Sequence, residues 1–105
     1  MATENKITKE HLESLIDSAI AETWIVWGKE MSVSYMLECG FTVTGRAACV
    51  DPKNFDPELG KKYCRENAIE QLWQLEGYRL QWDLYHDGVL PRYGGYTPIE
   101  AESKL

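Results

Sequence analysis

The stretch DPELGKKYCRENAIEQLWQLEGYRLQWDL, residues 56–84, decides the fold. Its apolar side chains recur mostly at steps of three, four or seven residues, and charged side chains fill the opposite side. Asp56 stands where an N-cap belongs, before a proline suited to the first helical position. The pattern predicts a helix of about 28 residues, roughly 42 Å long. Gly77 inside it indicates either a bend or a close approach of another group to the backbone.

The residues before this helix predict a shorter helix and three strands. Thr8 is a suitable N-cap for an amphipathic helix over residues 9–21. TWIVWG from Thr23, MSVSYMLE from Met31 and FTVTGRA from Phe41 are β-rich, and the last two alternate in polarity. With a turn at residues 28–29, they predict a three-stranded antiparallel meander. We therefore expect an α+β fold, with the long helix lying across one face of the sheet.

The predicted helix is too long for the predicted sheet. A 42 Å helix overhangs strands of about seven residues, which span roughly 23 Å. Its exposed half should need a partner, which predicts a homodimer or higher homo-oligomer. We expect residues 1–86 to form one domain and residues 87–105, rich in Gly and Pro, to form a C-terminal tail.

Composition excludes several classes of protein. The chain has 105 residues and a net charge of −6, which argues against binding to duplex nucleic acid. No stretch is long and apolar enough for a membrane span or a secretion signal. Three cysteines at spacings of ten and fifteen indicate neither a disulfide framework nor a metal site. A reduced cytoplasm is the expected compartment.

Catalytic and metal-binding patterns are scarce. The two histidines, His11 and His86, lie far apart in the sequence, so a Cys–His or Ser–His pair would have to form through the fold. Asp51 and Asp56 each precede a proline and are better explained as helix caps than as acid–base catalysts. We expect no enzyme activity, no metal and no cofactor.

The blocks GFTVTG, ACVDPKNFD, LGKKYCRENAIEQLW and LEGYRLQ, in this order, resemble a family of small tailed-phage proteins named after a gene-49 product and a gene-66 product. The resemblance covers the middle and late part of the chain, from the strand before GFTVTG to about Tyr85. Cys39 departs from the usual pattern, in which an Asn-Gly turn is typical, and so do Arg46 and Ala47.

The same order of strands, turn and long helix is similar to the first Thoeris anti-defence family of phage proteins. Those proteins are non-enzymatic, oligomeric sponges that bind cyclic ADP-ribose isomers made by bacterial immune enzymes. The resemblance implies a phage protein that sequesters a cyclic nucleotide signal in the cytoplasm of the infected host. The alternative is an inhibitor that binds a host nuclease or CRISPR effector directly, using its acidity and its exposed aromatic side chains.

A nucleotide sponge needs an apolar surface for a base, an arginine for phosphates and polar groups for hydroxyls. The residues of this chain that could supply them across two antiparallel long helices are Arg46, Asn54, Phe55, Arg65, Trp82 and Asp83. The structural alternatives are that Phe55 is a plug under the loop and that Arg65, with Glu66, belongs to a solvated helix face. The blocks do not distinguish whether Glu76 and Tyr78 are structural or line a pocket.

Overall fold

The computed structural model describes residues 5–97. Its elements, in chain order, are helix α1 (Lys9–Asp17), strands β1 (Ile20–Val26), β2 (Glu30–Met36) and β3 (Thr42–Ala48), a 3₁₀ turn (Pro52–Asn54), helix α2 (Pro57–His86) and a second 3₁₀ turn (Arg92–Gly95). The strands form one antiparallel sheet in the order β1-β2-β3, and α2 packs on it. The predicted α+β architecture is confirmed.

Helix α2 begins where the sequence predicts. The Asp56 side chain accepts hydrogen bonds from the backbone N–H groups of Glu58, at 3.0 Å, and Leu59, at 3.4 Å. The helix runs for 30 residues and is followed by Gly88, whose φ of +75° places it in the left-handed region. A glycine in this conformation just beyond a helix is a common way to end it.

Helix α1 is shorter than predicted. Thr8 caps it as expected, by accepting a hydrogen bond from the His11 N–H at 3.2 Å. The helix ends at Asp17 instead of residue 21, and β1 begins at Ile20 instead of Thr23. The reason is long-range pairing, because Ile20 lies opposite Met36 of β2. The helical spacing of apolar residues in this segment gives no indication of pairing with a distant strand.

The meander is confirmed, with its first turn at Trp27 and Gly28, whose φ values are +54° and +65°. Two consecutive residues with positive φ suit the twist of a tight hairpin. In β3, Val43 and Gly45 are buried and face the core. Phe41 does not share their burial, since it precedes the strand and is 53% exposed.

The core lies between α2, α1 and the inner face of β2 and β3. Its fully buried side chains include Leu12 of α1, Met31 of β2, and Cys64 and Leu72 of α2. Gly45 allows the closest approach of helix and sheet, because a Cβ added there would lie 1.8 Å from the Cys64 carbonyl oxygen. A side chain at this position is therefore excluded.

The core leaves β1 and several aromatic side chains of α2 exposed. All seven residues of β1 are exposed. On α2, Trp73 is 42% exposed and Tyr63 is 52% exposed in the single chain. Among the helices of residues 5–97, none combines the length and the apolar composition that a membrane span requires.

Candidate aromatic cleft

Residues 87–97, the described part of the C-terminal tail, turn back onto the end of α2. The backbone N–H groups of Val89 and Leu90 both donate to the Leu84 carbonyl, at 2.9 and 3.2 Å. Leu84 is 3% exposed and Leu90 is half-buried. Left-handed conformations at Tyr93 and Gly94, with φ of +59° and +64°, then bend the following residues alongside the helix. The tail thus becomes one wall of a cleft whose other wall is α2.

This cleft has a volume of about 580 Å³, within the usual range for small-molecule sites. Its lining residues are Gln81, Trp82, Tyr85, Pro91, Arg92, Tyr93 and Gly94. We refer to it as the aromatic cleft. The lining contains three large aromatic rings and one cation, and none of these residues is a carboxylate, a thiol or a histidine.

The rings of the aromatic cleft hold one another in place. Trp82 packs edge-on against Tyr85, with 5.8 Å between ring centroids, and lies 5.5 Å from the His86 ring. The Arg92 guanidinium lies 5.0 Å from the centre of the Tyr93 ring, a cation–π distance. Trp82 and Tyr93 are still 46% and 66% exposed, so part of each side chain remains accessible to a ligand.

The six residues predicted to bind ligand lie in different parts of the molecule. Trp82 is in the aromatic cleft, whereas Asn54 and Phe55 line a small cleft of about 110 Å³ at the other end of α2. The rise of an α-helix puts Trp82 about 26 Å from Arg65 along α2. One chain therefore does not bring these residues together, and the pocket predicted for them requires two chains.

Three of the predicted residues are occupied by ion pairs. The Arg65 guanidinium lies 2.9 Å from an Asp17 carboxylate oxygen and 3.8 Å from one of Glu13. Arg46 donates to Glu30 at 2.5 Å. Asp83 accepts from Arg79 at 2.5 Å. A phosphate at either arginine would have to compete with carboxylates already in contact.

Phe55 packs partly buried against the core, as expected of a plug under the loop, and Asn54 is exposed. Neither residue lies near the three aromatic rings of the aromatic cleft.

Glu76 has a structural role in this chain. It accepts a hydrogen bond from Arg79 at 2.6 Å and lies 2.8 Å from the His11 ring nitrogen, which links α2 to α1. Burial favours the neutral carboxyl, but the hydrogen bonds from Arg79 and His11 outweigh it and lower the pKa of Glu76 below its ordinary value. Beside it, a Cβ added to Gly77 would meet nothing within 4 Å, so within residues 5–97 no group from another element approaches that backbone closely.

Two further depressions flank α2. An apolar one of about 490 Å³ includes Leu15, Leu37, Phe41 and Leu75, with Cys39 at its rim. A third, of about 400 Å³, lies between the first turns of α2 and β1 and is lined on the helix side by Glu58, Lys61, Lys62 and Arg65. We call it the basic groove. In residues 5–97, no group of three or more His, Cys, Asp and Glu side chains is placed to hold a metal ion.

Sequence reasoning missed Arg92 and Tyr85 as possible site residues. The signal available was the run PRYGGY at residues 91–96, in which two glycines permit a sharp return of the chain and two tyrosines and an arginine flank them. Sequence alone does not indicate which surface the returning segment meets.

A model of one family matches residues 7–84, about three-quarters of the chain, and its description is "Phage protein (N4 Gp49/phage Sf6 gene 66) family". The match includes both helices almost entirely and all three strands. No curated protein and no solved structure matches the chain. The tail that completes the aromatic cleft lies beyond the matched residues.

Proposed function

The chain belongs to the phage protein (N4 Gp49/phage Sf6 gene 66) family, and we propose that it is an anti-defence protein that binds and sequesters a cyclic nucleotide immune signal without chemically changing it. The ligand class is a cyclic ADP-ribose isomer, and the site of action is the cytoplasm of the infected bacterium. Membership of a phage family supports a role during infection. The ligand class rests on the similarity in element order to the Thoeris anti-defence sponges.

The aromatic cleft is the observation that carries this proposal. Trp82, Tyr85 and Tyr93 offer faces on which an adenine ring can stack. Arg92 adds a guanidinium, which binds phosphate oxygens through paired hydrogen bonds. A volume of about 580 Å³ accommodates a ligand of nucleotide size.

The lining also supports binding without reaction. Hydrolysis of a glycosidic or phosphodiester bond needs a placed nucleophile, acid or base next to the scissile bond. The side chains that line this cleft are a tryptophan, two tyrosines, a proline, an amide and a guanidinium, and none of them is a carboxylate, a thiol or an imidazole. These groups stack on or hydrogen-bond to a ligand, and its release intact is the expected outcome.

The proposal is tested by isothermal titration calorimetry with a panel of cyclic ADP-ribose isomers and other cyclic nucleotides. Base–aromatic stacking is worth about 1–3 kcal/mol per base, so Trp82→Ala should weaken binding about 5- to 150-fold. Trp73→Ala is a matched control, since Trp73 is a tryptophan of the same helix with similar exposure, 42% against 46%. The affinity of the Trp73→Ala variant for the same compound should stay within about twofold of that of the wild-type protein.

Two results would contradict the proposal. If Trp82→Ala binds as tightly as wild type while remaining folded, the aromatic cleft is not the site. If the wild-type protein binds no member of the panel, the proposed ligand class is wrong.

A further inference from the structure

Strand β1 is an open edge of the sheet. All seven of its residues, Ile20–Val26, are exposed, and Ile20, Trp24 and Ile25 are 68%, 54% and 49% exposed. Natural sheets protect such edges with lysines, prolines, bulges or a covering element, because an uncovered edge pairs with other chains. β1 contains no lysine, arginine or proline, and Glu22 is its only charged residue.

The opposite edge, formed by β3, is closed by side chains of α2. Gln71 donates its amide hydrogen to the Thr44 carbonyl at 2.7 Å. Asn67 accepts from the Arg46 backbone N–H at 3.1 Å. Across residues 5–97, no side chain makes an equivalent hydrogen bond to the backbone of β1. The β3 edge is thus partly satisfied by side chains of α2, whereas the β1 edge receives no such hydrogen bond from the described residues.

The hydrogen bonds on β3 identify which residues of β1 face outward. In an antiparallel ladder, alternate residues direct both backbone groups to the same side. Since Thr44 and Arg46 point away from β2, their register partners on β2 point toward β1. Those partners are Ser34 and Ser32, and they lie opposite Glu22 and Trp24 of β1, whose backbone groups therefore bond to β2. The alternate residues Ala21, Thr23 and Ile25 present their N–H and C=O groups at the free edge.

We propose that β1 pairs with β1 of a second copy, antiparallel and around a two-fold axis at Thr23. The two sheets then form one six-stranded sheet with both α2 helices on the same face. Thr23 lies opposite its own copy, and Ala21 lies opposite Ile25 of the second copy. The Thr23 pair and the two Ala21–Ile25 pairs each supply two backbone hydrogen bonds, six in all. At the ends of the strands, Ile20 lies opposite Val26 of the second copy.

The sequence of β1 is complementary to itself in this register. Glu22 lies opposite Trp24 of the second copy, so no two like charges face each other. A register centred on Glu22 would instead place two carboxylates in direct opposition, which is destabilising. The pairing also covers apolar side chains that the single chain leaves in water: Ile20, Trp24, Ile25 and Val26. A second copy fits this edge by hydrogen bonding, by charge and by polarity.

The second copy also completes the basic groove. β1 forms part of its floor, through Ala21 and Thr23, and its helix-side wall consists of Lys61, Lys62 and Arg65 together with the carboxylate Glu58. At a strand spacing of about 4.8 Å, the two α2 axes lie roughly 20 Å apart, about twice a helix diameter. The two basic grooves therefore join into one trough with cationic side chains of both copies along its walls.

Sedimentation velocity of the full-length chain tests this pairing. The molar mass derived from the sedimentation of the wild-type protein should be twice the 12.1 kDa mass of one chain. Thr23→Lys places two ammonium groups opposite each other on the two-fold axis, and Thr23→Asp places two carboxylates there. Thr23→Lys should raise the dimer dissociation constant about five- to tenfold, and Thr23→Asp should raise it less, because Lys61, Lys62 and Arg65 line the same groove as residue 23. Mixing the two in equal amounts should restore a dimer, because opposite charges then meet.

Thr42→Lys is the matched control, since Thr42 is an exposed threonine of β3, the other edge strand. It should remain dimeric. Far-UV circular dichroism confirms that each variant is folded. A monomeric wild type overturns the proposal, and so does a Thr23→Lys variant that is folded and dimerises with wild-type affinity. Failure of the mixture to form a dimer overturns the register centred on Thr23.

Discussion

Replacing Gly45 by alanine should destabilise the protein severely. Gly45 lies in β3 against α2, and an added Cβ would lie 1.8 Å from the Cys64 carbonyl oxygen and 2.6 Å from its carbonyl carbon. Both atoms belong to the helix backbone, so no side-chain rotation relieves the overlap. Non-bonded contacts need about 3.5 Å, and the helix would have to withdraw from the sheet by roughly 1.5 Å.

That withdrawal sets the expected magnitude. Overpacking a well-packed core costs about 1–3 kcal/mol, and a contact between two backbones falls at or beyond the upper end. A loss of about 3 kcal/mol is a large part of the 5–15 kcal/mol that stabilises a typical domain. It corresponds to a fall in Tm of roughly 12–24 °C for a domain of this size.

Urea unfolding followed by tryptophan fluorescence measures the effect, since the chain has four tryptophans. Gly77→Ala is the control, because a Cβ there would meet nothing within 4 Å. Removing a glycine from a helix interior should raise the free energy of unfolding by about 0.5–1 kcal/mol. A Gly45→Ala variant with the wild-type urea midpoint, or a Gly77→Ala variant equally destabilised, would refute the packing of α2 on β3.

Two further predictions concern titratable groups. Since Arg79 and His11 lower the pKa of Glu76, its carboxylate stabilises the fold at pH values above the ordinary glutamate pKa, about 4.3, and that stability is lost as the pH falls through the lowered pKa. Glu76→Gln should therefore be less stable than wild type at pH 7 in urea unfolding, and a difference that persisted undiminished at pH 3 would contradict this. Burial raises the pKa of the Cys64 thiol, which is fully buried, whereas Cys39 is exposed. Cys39 should react promptly with a disulfide reagent at pH 8 and Cys64 only on unfolding; rapid modification of Cys64 in the folded protein, located by mass spectrometry, would be the opposite result.

The sequence predicted those elements whose signals are local. Asp56 before a proline encodes the start of α2 by capping, and Thr8 does the same for α1. The end of α1 was predicted wrongly, because Ile20 pairs with Met36, sixteen residues away. Pairing at that distance depends on how the chain folds in three dimensions, and the periodicity of a short segment does not encode it.

The candidate site was less predictable than the fold, for the same reason. Trp82 was identified from sequence, but its neighbours in the aromatic cleft come from a tail whose path depends on the left-handed conformations of Gly88 and Gly94. The arginines predicted to bind phosphate meet carboxylates from other elements, as Arg65 meets Asp17 of α1. Such pairs form only when helices and strands pack.

The most direct test of the proposed function is a capture and release measurement. The protein is incubated with cyclic ADP-ribose isomers and other cyclic nucleotides, removed by filtration, and the filtrate is chromatographed before and after the retained protein is denatured by heat. Sequestration without catalysis predicts that one compound disappears from the filtrate and returns unaltered on heating. A compound that returns chemically changed, or a panel that passes entirely into the filtrate, would contradict it.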